Sequence, residues 1–419
     1  MRKSVKISLV VLVVSILFIA LKSPRKVINH EVSAHYSMQD PQFLRSMDHL
    51  MGPPIVSGNR ITPLQNGDMI FPAMLDAIRG AKKTITFETY IYWSGKIGKE
   101  FSDALSNKAR EGVKVSVILD WFGSSKVDET SIDQMKEAGV QVIRYRPLRW
   151  YNLSRLNHRT HRKILAIDGN IGFIGGVGIA DVWLGNAESE DHWRESHFKV
   201  EGPVVAQLQA AFMDNWNKTN PEVLDGEGYF PVLANQGNLK AQVFKSSFSE
   251  GGTSVRLMYL LSVSLARSSI QIATAYFVTD DWMIQSLIKA KKRGVKVQIL
   301  VPGKKVDSAL SRRASRAKWG ELLKSGIEIY EYQPTMFHCK YMIADTWVSV
   351  GSANFDNLSF LQNDEANLNV FDADFAKNQT LTFEKDLQSA RRITLEEWQD
   401  RSLFEKITER YATLFESQM

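Results

Sequence analysis

The chain has almost no cysteine: Cys339 is alone among 419 residues. One thiol excludes an internal disulfide framework, so the fold must hold together by packing. Long apolar runs are as scarce. The one present, Ile7 to Leu21, is broken only by Ser8 and Ser15. It is short against the roughly 17–25 residues of a spanning helix, although the lysines at its ends can snorkel and extend its reach. No small-x-small cleavage site follows, because Leu21 runs into Lys-Ser-Pro-Arg. A retained membrane anchor over residues 1–30 is therefore expected rather than a removed signal peptide. Charge asymmetry is also missing. Arg2, Lys3 and Lys6 precede the run and Lys22, Arg25 and Lys26 follow it, so the positive-inside rule gives no orientation. Residues 31–55, with Pro41, Pro53 and Pro54 and no sustained period, read as a linker. Nothing in the sequence sets an oligomeric state.

What the chain does have is repetition. His161-Arg162-Lys163, four residues and Asp168 return as His338-Cys339-Lys340, four residues and Asp345. Each copy of HxKxxxxD leads to a small-residue turn, Gly175-Gly176 and Gly351-Ser352. The repeat extends further. Ala81-Lys82-Lys83-Thr84-Ile85 is echoed by Ala266-Arg267-Ser268-Ser269-Ile270, and Glu111-Gly112-Val113-Lys114-Val115 by Arg293-Gly294-Val295-Lys296-Val297. Landmarks in the same order twice imply a bilobed enzyme with one histidine from each half in a single site.

Strand-like runs alternate with helical spacing in both halves. Thr84–Tyr92, Val113–Leu119 and Val140–Arg144 read as strands, Gly95–Arg110 and Ser131–Ala138 as helices. The second half repeats the order: strand Ile270–Val278, helix Asp281–Lys292, strand Val295–Val301, helix Ala309–Lys324, strand Ile327–Tyr332. The expected fold is a duplicated α/β/α sandwich, two similar halves around mixed sheets with the site between them. The first half covers 56–216 and ends in an amphipathic helix (Val205, Leu208, Phe212, Trp216). A connector, 217–237, follows, and the second half covers 238–419. Its tail, Leu395 to Phe415, has helical spacing, and the apolar stripe reads as a packing face, with membrane contact the lesser alternative.

In extended chain, residues two apart share a face. His161 and Lys163 therefore project together, as do His338 and Lys340. Asp168 and Asp345 complete the motif and are counted with the catalytic set, but their odd spacing turns them away from the histidines and suits a structural ion pair or hydrogen-bonded turn. Two imidazoles and two ammonium groups in one pocket fit phosphodiester chemistry. The lysines neutralise the non-bridging oxygens. One histidine attacks phosphorus to form a phosphohistidine, while the other protonates the departing oxygen and then deprotonates the incoming hydroxyl. No metal and no cofactor is required, and the lysines would repel a metal ion.

The net charge of +6 suits an anionic partner. Arg144, Arg146, Arg149, Arg155, Arg159, Arg162 and Lys163 crowd the first motif, with Trp150 and Tyr151 among them. Lys304, Lys305, Arg312, Arg313, Arg316 and Lys318 occupy the matching part of the second half. Their placement near both motifs suits a phosphate-facing rim, and two solvated faces are the alternative.

The two HxKxxxxD motifs resemble those of the phospholipase D superfamily, and the resemblance is nearest to bacterial cardiolipin synthases. It is carried by Asn157-His158-Arg159-Thr160-His161-Arg162-Lys163, Gly175-Gly176-Val177-Gly178-Ile179-Ala180-Asp181, Trp193-Arg194-Glu195-Ser196-His197, Gly351-Ser352-Ala353-Asn354-Phe355-Asp356 and Asn363-Asp364-Glu365-Ala366-Asn367-Leu368. It implies a carboxylate downstream in each half to orient each imidazole, Glu365 in the second and Glu195 in the first, with Ser352 and Asn354 in support. It also implies anionic glycerophospholipid substrates, phosphatidylglycerol first among them, and a place at the bacterial cytoplasmic membrane. Two positions depart from the pattern: Gly178 where asparagine is usual, and Leu358 where arginine is common. A hydrolytic phospholipase D is the first alternative and a nuclease the second, though the anchor and the synthase-like phrases speak against nucleic acid. A scaffold with a relict site fits poorly with two intact motifs.

Overall fold

The structure, a computed structural model, describes residues 30–32, 35–148, 158–247 and 254–419. The expected anchor, Ile7 to Leu21, and Arg149, Trp150, Tyr151 and Arg155 lie outside them. Among the described residues no helix is long and apolar enough to cross a membrane.

The first half contributes β1 (Val56–Gln65), β2 (Thr84–Thr89), β3 (Lys114–Asp120), β4 (Gln141–Tyr145), β5 (Ile164–Ile167), β6 (Ile171–Gly175) and β7 (Ser196–Glu201). The second contributes β8 (Leu239–Ser246), β9 (Ser269–Thr274), β10 (Phe277–Val278), β11 (Lys296–Pro302), β12 (Glu328–Tyr332), β13 (Lys340–Ala344), β14 (Trp347–Gly351), β15 (Phe355–Asp356), β16 (Glu365–Phe371) and β17 (Ala390–Ile393). One 15-stranded sheet runs through both halves, in the order β17-β12-β11-β9-β13-β14-β16-β8-β1-β7-β6-β5-β2-β3-β4. Read outward from the central antiparallel pair β1 and β8, the halves match strand for strand: β7, β6, β5, β2, β3, β4 on one side and β16, β14, β13, β9, β11, β12 on the other. Strands β2, β3 and β4 pair in parallel, as do β9, β11 and β12; the other pairs of the large sheet are antiparallel, among them the hairpins β5–β6 and β13–β14.

Both sheet faces are covered, and the alternation of side chains shows it. Leu165 and Ile167 join a core with the helices Asn66–Gly80 and Lys96–Arg110, whereas Ile164 and Ala166 face a core with Val205 and Leu208. The second of these cores is shared, since it also holds Val243, Tyr341, Ile343 and Phe375 from the second half. Burying apolar area from both halves in one cluster makes them a single folding unit.

Helix starts follow side-chain caps. Asp280 accepts from the Met283 amide ahead of Asp281–Lys292, and Ser308 from the Ser311 amide ahead of Ala309–Lys324. Gly112 and Gly294, with φ +88° and +95°, end the matching helices in the left-handed conformation that favours glycine.

Two expectations give way here. The linker 31–55 contains a helix, Pro41–Leu50, with Phe43 and Met47 buried in the second half's core. Proline there is a start signal, sitting at the first helical position behind the Asp40 cap. The tail is two short helices, Leu395–Gln399 and Leu403–Ala412, each with a capping box. Trp398 packs inward, but Leu403, Ile407 and Tyr411 are exposed, so the second helix does not use its apolar stripe as a packing face.

Candidate active site

His161 and Lys163 sit just ahead of and at the mouth of β5, and His338 and Lys340 at the same place on β13. The two-residue alternation holds: Arg162 and Cys339 point to the opposite sheet face. There Arg162 donates to the Ala211 carbonyl and pairs with Asp214, and Cys339 joins the shared core.

Two short bridges across the halves fix the histidines. The His161 amide donates to the Asp364 carbonyl at 2.9 Å, and the Asp364 amide donates to the Arg159 carbonyl at 2.9 Å. On the other side the His338 amide donates to the Arg194 carbonyl at 2.8 Å and the Arg194 amide to the Met336 carbonyl at 2.9 Å. The next residues along are Glu365 and Glu195, so the carboxylates are exchanged. His161 Nδ1 lies 3.0 and 3.1 Å from the oxygens of Glu365, and His338 Nδ1 lies 2.5 Å from Glu195 Oε2. Each half's carboxylate orients the other half's imidazole. The resemblance placed one carboxylate in each half but not this crossing.

All six groups are buried. Burial, with the neighbouring lysines, pushes both imidazoles below their ordinary range, His338 furthest. Both are held toward the neutral form, with Nδ1 of each against a carboxylate and Nε2 left for chemistry. Burial also lowers Lys163, to about 7, and lowers Lys340. The halves are electrostatically coupled: Lys340 acts on His161, and Lys163 acts on His338. Lys340 Nζ stands 3.0 and 3.1 Å from the His338 ring nitrogens.

The carboxylates differ. Burial raises Glu195, whose Oε1 accepts from the Ser196 amide. Glu365 is equally buried, but His161, Lys163 and the Ser352 hydroxyl outweigh burial and hold it low. Ser352 Oγ donates to it at 2.5 Å and Ser359 Oγ at 2.7 Å. The counterpart of Ser352 is Gly176, where a Cβ would come within 2.5 Å of Glu195 Oε1. Asn354 is buried beside this group, its amide donating to Ser359 Oγ.

Asp168 and Asp345 do not join the cluster. Asp168, at φ +51°, accepts from the amides of Lys82, Lys83 and Thr84. Asp345, at φ +49°, accepts from those of Arg267, Ser268 and Ser269. Each carboxylate ties a hairpin turn to the segment entering the neighbouring strand, which explains why those segments repeat. Several of the rim's basic residues are paired with carboxylates rather than free. Arg144 pairs with Glu129 and Arg146 with Asp364, while Arg312 and Arg316 share Glu331 and Lys318 binds Asp281.

Aromatic rings close on the histidines. Tyr90 lies edge-on to His161 at 5.2 Å between centroids, and Trp183 and Trp193 lie 5.2 and 5.5 Å from His338. Tyr90 and Trp183 carry no motif signal. Tyr90 follows the C-terminal end of β2, the end of a parallel strand where ligands gather in α/β sheets.

A family model described as "Cardiolipin synthase, PLD-like domain" matches residues 74–216 and 260–387. The chain is 35% identical over 350 residues to "Cardiolipin synthase 2" of Bacillus anthracis, spanning 83% of this chain and 68% of that one. It is 36% identical over 366 residues to "Probable cardiolipin synthase YwiE" of Bacillus subtilis (strain 168), spanning 85% and 72%. The chain belongs to the cardiolipin synthase family.

Its phospholipase D-like fold matches the crystal structure of phosphatidylserine synthase from Haemophilus influenzae Rd KW20, with a TM-score of 0.64 over 88% of this chain and 96% of that one at 13% identity. One of the two departures from the cardiolipin synthase pattern has a local cause. A Cβ at Gly178 would meet the Trp183 ring and Ile91 at 2.9 Å, so the tryptophan against His338 fills the space an asparagine would need. The Leu358 amide donates to the Met419 carbonyl; nothing in the structure explains the leucine there.

Proposed function

We propose that this cardiolipin synthase relative is a phosphatidyltransferase that moves the phosphatidyl group of one phosphatidylglycerol to the hydroxyl of a second, making cardiolipin and releasing glycerol. The observation that carries the reading is the crossed pair of buried His–Glu couples with both lysines between them. The donor's phosphodiester seats against Lys163 and Lys340. His161 Nε2 attacks phosphorus; a P–N bond forms, the P–O bond to glycerol breaks, and the proton of His338 goes to the leaving oxygen. The acceptor's hydroxyl then gives its proton to His338 and attacks phosphorus, and the P–N bond breaks.

His161 suits the covalent role. Its ring becomes cationic when phosphorylated, and Glu365, anchored by two hydroxyl groups, stays ionised beside it. His338 must carry a proton in the first step, although it is neutral in the free site. An anionic phosphodiester between the lysines offsets their charge and makes that proton easier to hold. Tyr90, Trp183 and Trp193 around the histidines favour a positioned lipid hydroxyl over water. Residues 1–30 would keep the site at the bacterial cytoplasmic membrane.

Purified protein given phosphatidylglycerol in mixed micelles should yield cardiolipin and glycerol in equal amounts, with or without chelator, and added glycerol should reverse the reaction. Phosphatidic acid as the main product would make it a hydrolase. Inert lipid with cleaved DNA would make it a nuclease, and restoration of a chelated enzyme by a divalent ion would sink the metal-free mechanism.

A further inference from the structure

The helix Leu403–Ala412 is amphipathic but mounted the wrong way round. Its inward side carries the buried Glu409, bonded to Arg316 and paired with Arg401, together with Ala412. Its outward side carries Leu403, Phe404, Ile407 and Tyr411, and Leu414 continues the same arc. Their exposures are 79%, 72%, 66%, 59% and 58%. At 100° per residue these five fall within about a quarter turn. Soluble helices bury such a stripe, and a contiguous exposed apolar patch marks an interaction surface. Here the ion pairs of Glu409 hold it outward.

What covers it can be argued from its border and its attachments. Lys406 and Arg410 are exposed and lie along one edge of the arc. Apolar and aromatic residues flanked by basic ones are the pattern of a helix lying in the plane of an anionic lipid surface. The helix is also tied to the walls of the active site. Through Arg316 it holds the helix Ala309–Lys324, which starts next to Asp307, the acceptor of the Tyr276 hydroxyl and a carboxylate that acts on His338 and Lys340. Through Met419 it holds the turn Asn357–Leu361, whose Ser359 bonds Glu365.

We propose that the outward face of Leu403–Leu414 docks on the surface of an anionic phospholipid bilayer and sets the active site against the headgroups. The proposal rests on the lipid-substrate reading above. It adds a second membrane contact, at the opposite end of the chain from residues 1–30.

The test uses the full-length protein with a polarity-sensitive fluorophore at Ile407→Cys. Cys339 is buried, and burial pushes its thiol up to about 12, so the introduced cysteine reacts alone. On phosphatidylglycerol-containing vesicles the label should be quenched by a nitroxide carried on the lipid chains. A label at the exposed Asp103→Cys, in the first half, should not. A label still quenched by a water-soluble agent on those vesicles would overturn the proposal. So would a label shielded alike in detergent and in vesicles, which would mean a second copy or residues 1–30 cover the face.

Activity gives a second readout. The combined variant Phe404→Ser, Ile407→Ser, Leu414→Ser changes only exposed positions. It should lose about tenfold of the turnover on vesicles, the effect of about 1.4 kcal/mol, and keep turnover on short-chain phosphatidylglycerol below its micelle concentration. Equal loss on both substrates would overturn the docking role. A wild-type protein inactive on both would instead count against the lipid reading, while the label still reported on docking.

Discussion

The two halves share their strand order, their glycine turns and even the aspartates that staple their hairpins, yet their carboxylates live in different surroundings. In the second half Ser352, Ser359 and Asn354 make a polar bed for Glu365. In the first half the equivalent space belongs to Gly176, Gly178 and Trp183, and among the described residues no hydroxyl donates to Glu195. Duplication conserved the geometry and let the electrostatics diverge. Because the carboxylates are exchanged, the polar bed of the second half serves the histidine of the first. Two imidazoles on one scaffold can then take different parts of one reaction.

The comparison breaks first at the histidines. His161→Ala and His338→Ala should each remove about 10⁴-fold or more of kcat, and the double variant should be no worse, because the pair acts as a unit. Substantial activity in either single variant, measured by cardiolipin formation, would mean the halves work independently. The next largest effect tests the crossing. Glu365→Gln, through the nucleophile His161, and Glu195→Gln, through the acid His338, should each slow formation of the adduct on His161 by roughly 10²-fold, because attack and protonation of the leaving glycerol belong to one step. Rapid-quench trapping reads this directly. A donor whose leaving group needs no proton should restore adduct formation in Glu195→Gln and not in Glu365→Gln; the reverse would mean that the assigned pairing is wrong.

A smaller effect comes from protons. Lys163 is lowered to about 7 in the free site, so its ammonium form is lost as pH rises through that value. Accordingly kcat/KM should fall above about pH 7. The fall in kcat should come at higher pH, since a bound phosphodiester favours the ammonium. Lys163→Arg should abolish the limb while lowering the rate, and a limb unchanged in that variant would assign it elsewhere. Ser352→Ala and Ser359→Ala should each cost up to about tenfold, near the 1.4 kcal/mol scale of one charge-assisted hydrogen bond, and should steepen the dependence on pH. The smallest effect on turnover is expected at the aspartates. Asp168→Asn and Asp345→Asn should reduce stability by about 1–3 kcal/mol, seen as a lower Tm, and leave kcat of the folded enzyme nearly unchanged. A large kcat loss at unchanged Tm would return them to the reacting centre.

Much of this was readable along the chain. The helices Asp281–Lys292 and Ala309–Lys324 match their expected limits because a capping side chain and a glycine punctuate each one. The alternation of His161, Arg162 and Lys163 gave the faces correctly because strand geometry has period two. The exchange of Glu195 and Glu365 was not readable, since it depends on bridges between segments 204 residues apart. Nor was the fate of the basic clusters, because charge counts do not tell which arginines find carboxylates inside. In the tail, periodicity gave a helical face but not the side on which the protein lies. Glu409, a charged residue inside the stripe's opposite face, decides that through Arg316 and Arg401.

The exchanged carboxylates also govern when the protein becomes active during its own synthesis. A growing chain that has finished its first half displays His161 and Lys163 with no acid to steer the imidazole. Glu365 is made 204 residues later, and it arrives only when β16 pairs with β8. The site is thus completed only late in the order of assembly. A fragment that ends before Glu365 lacks the carboxylate that orients His161.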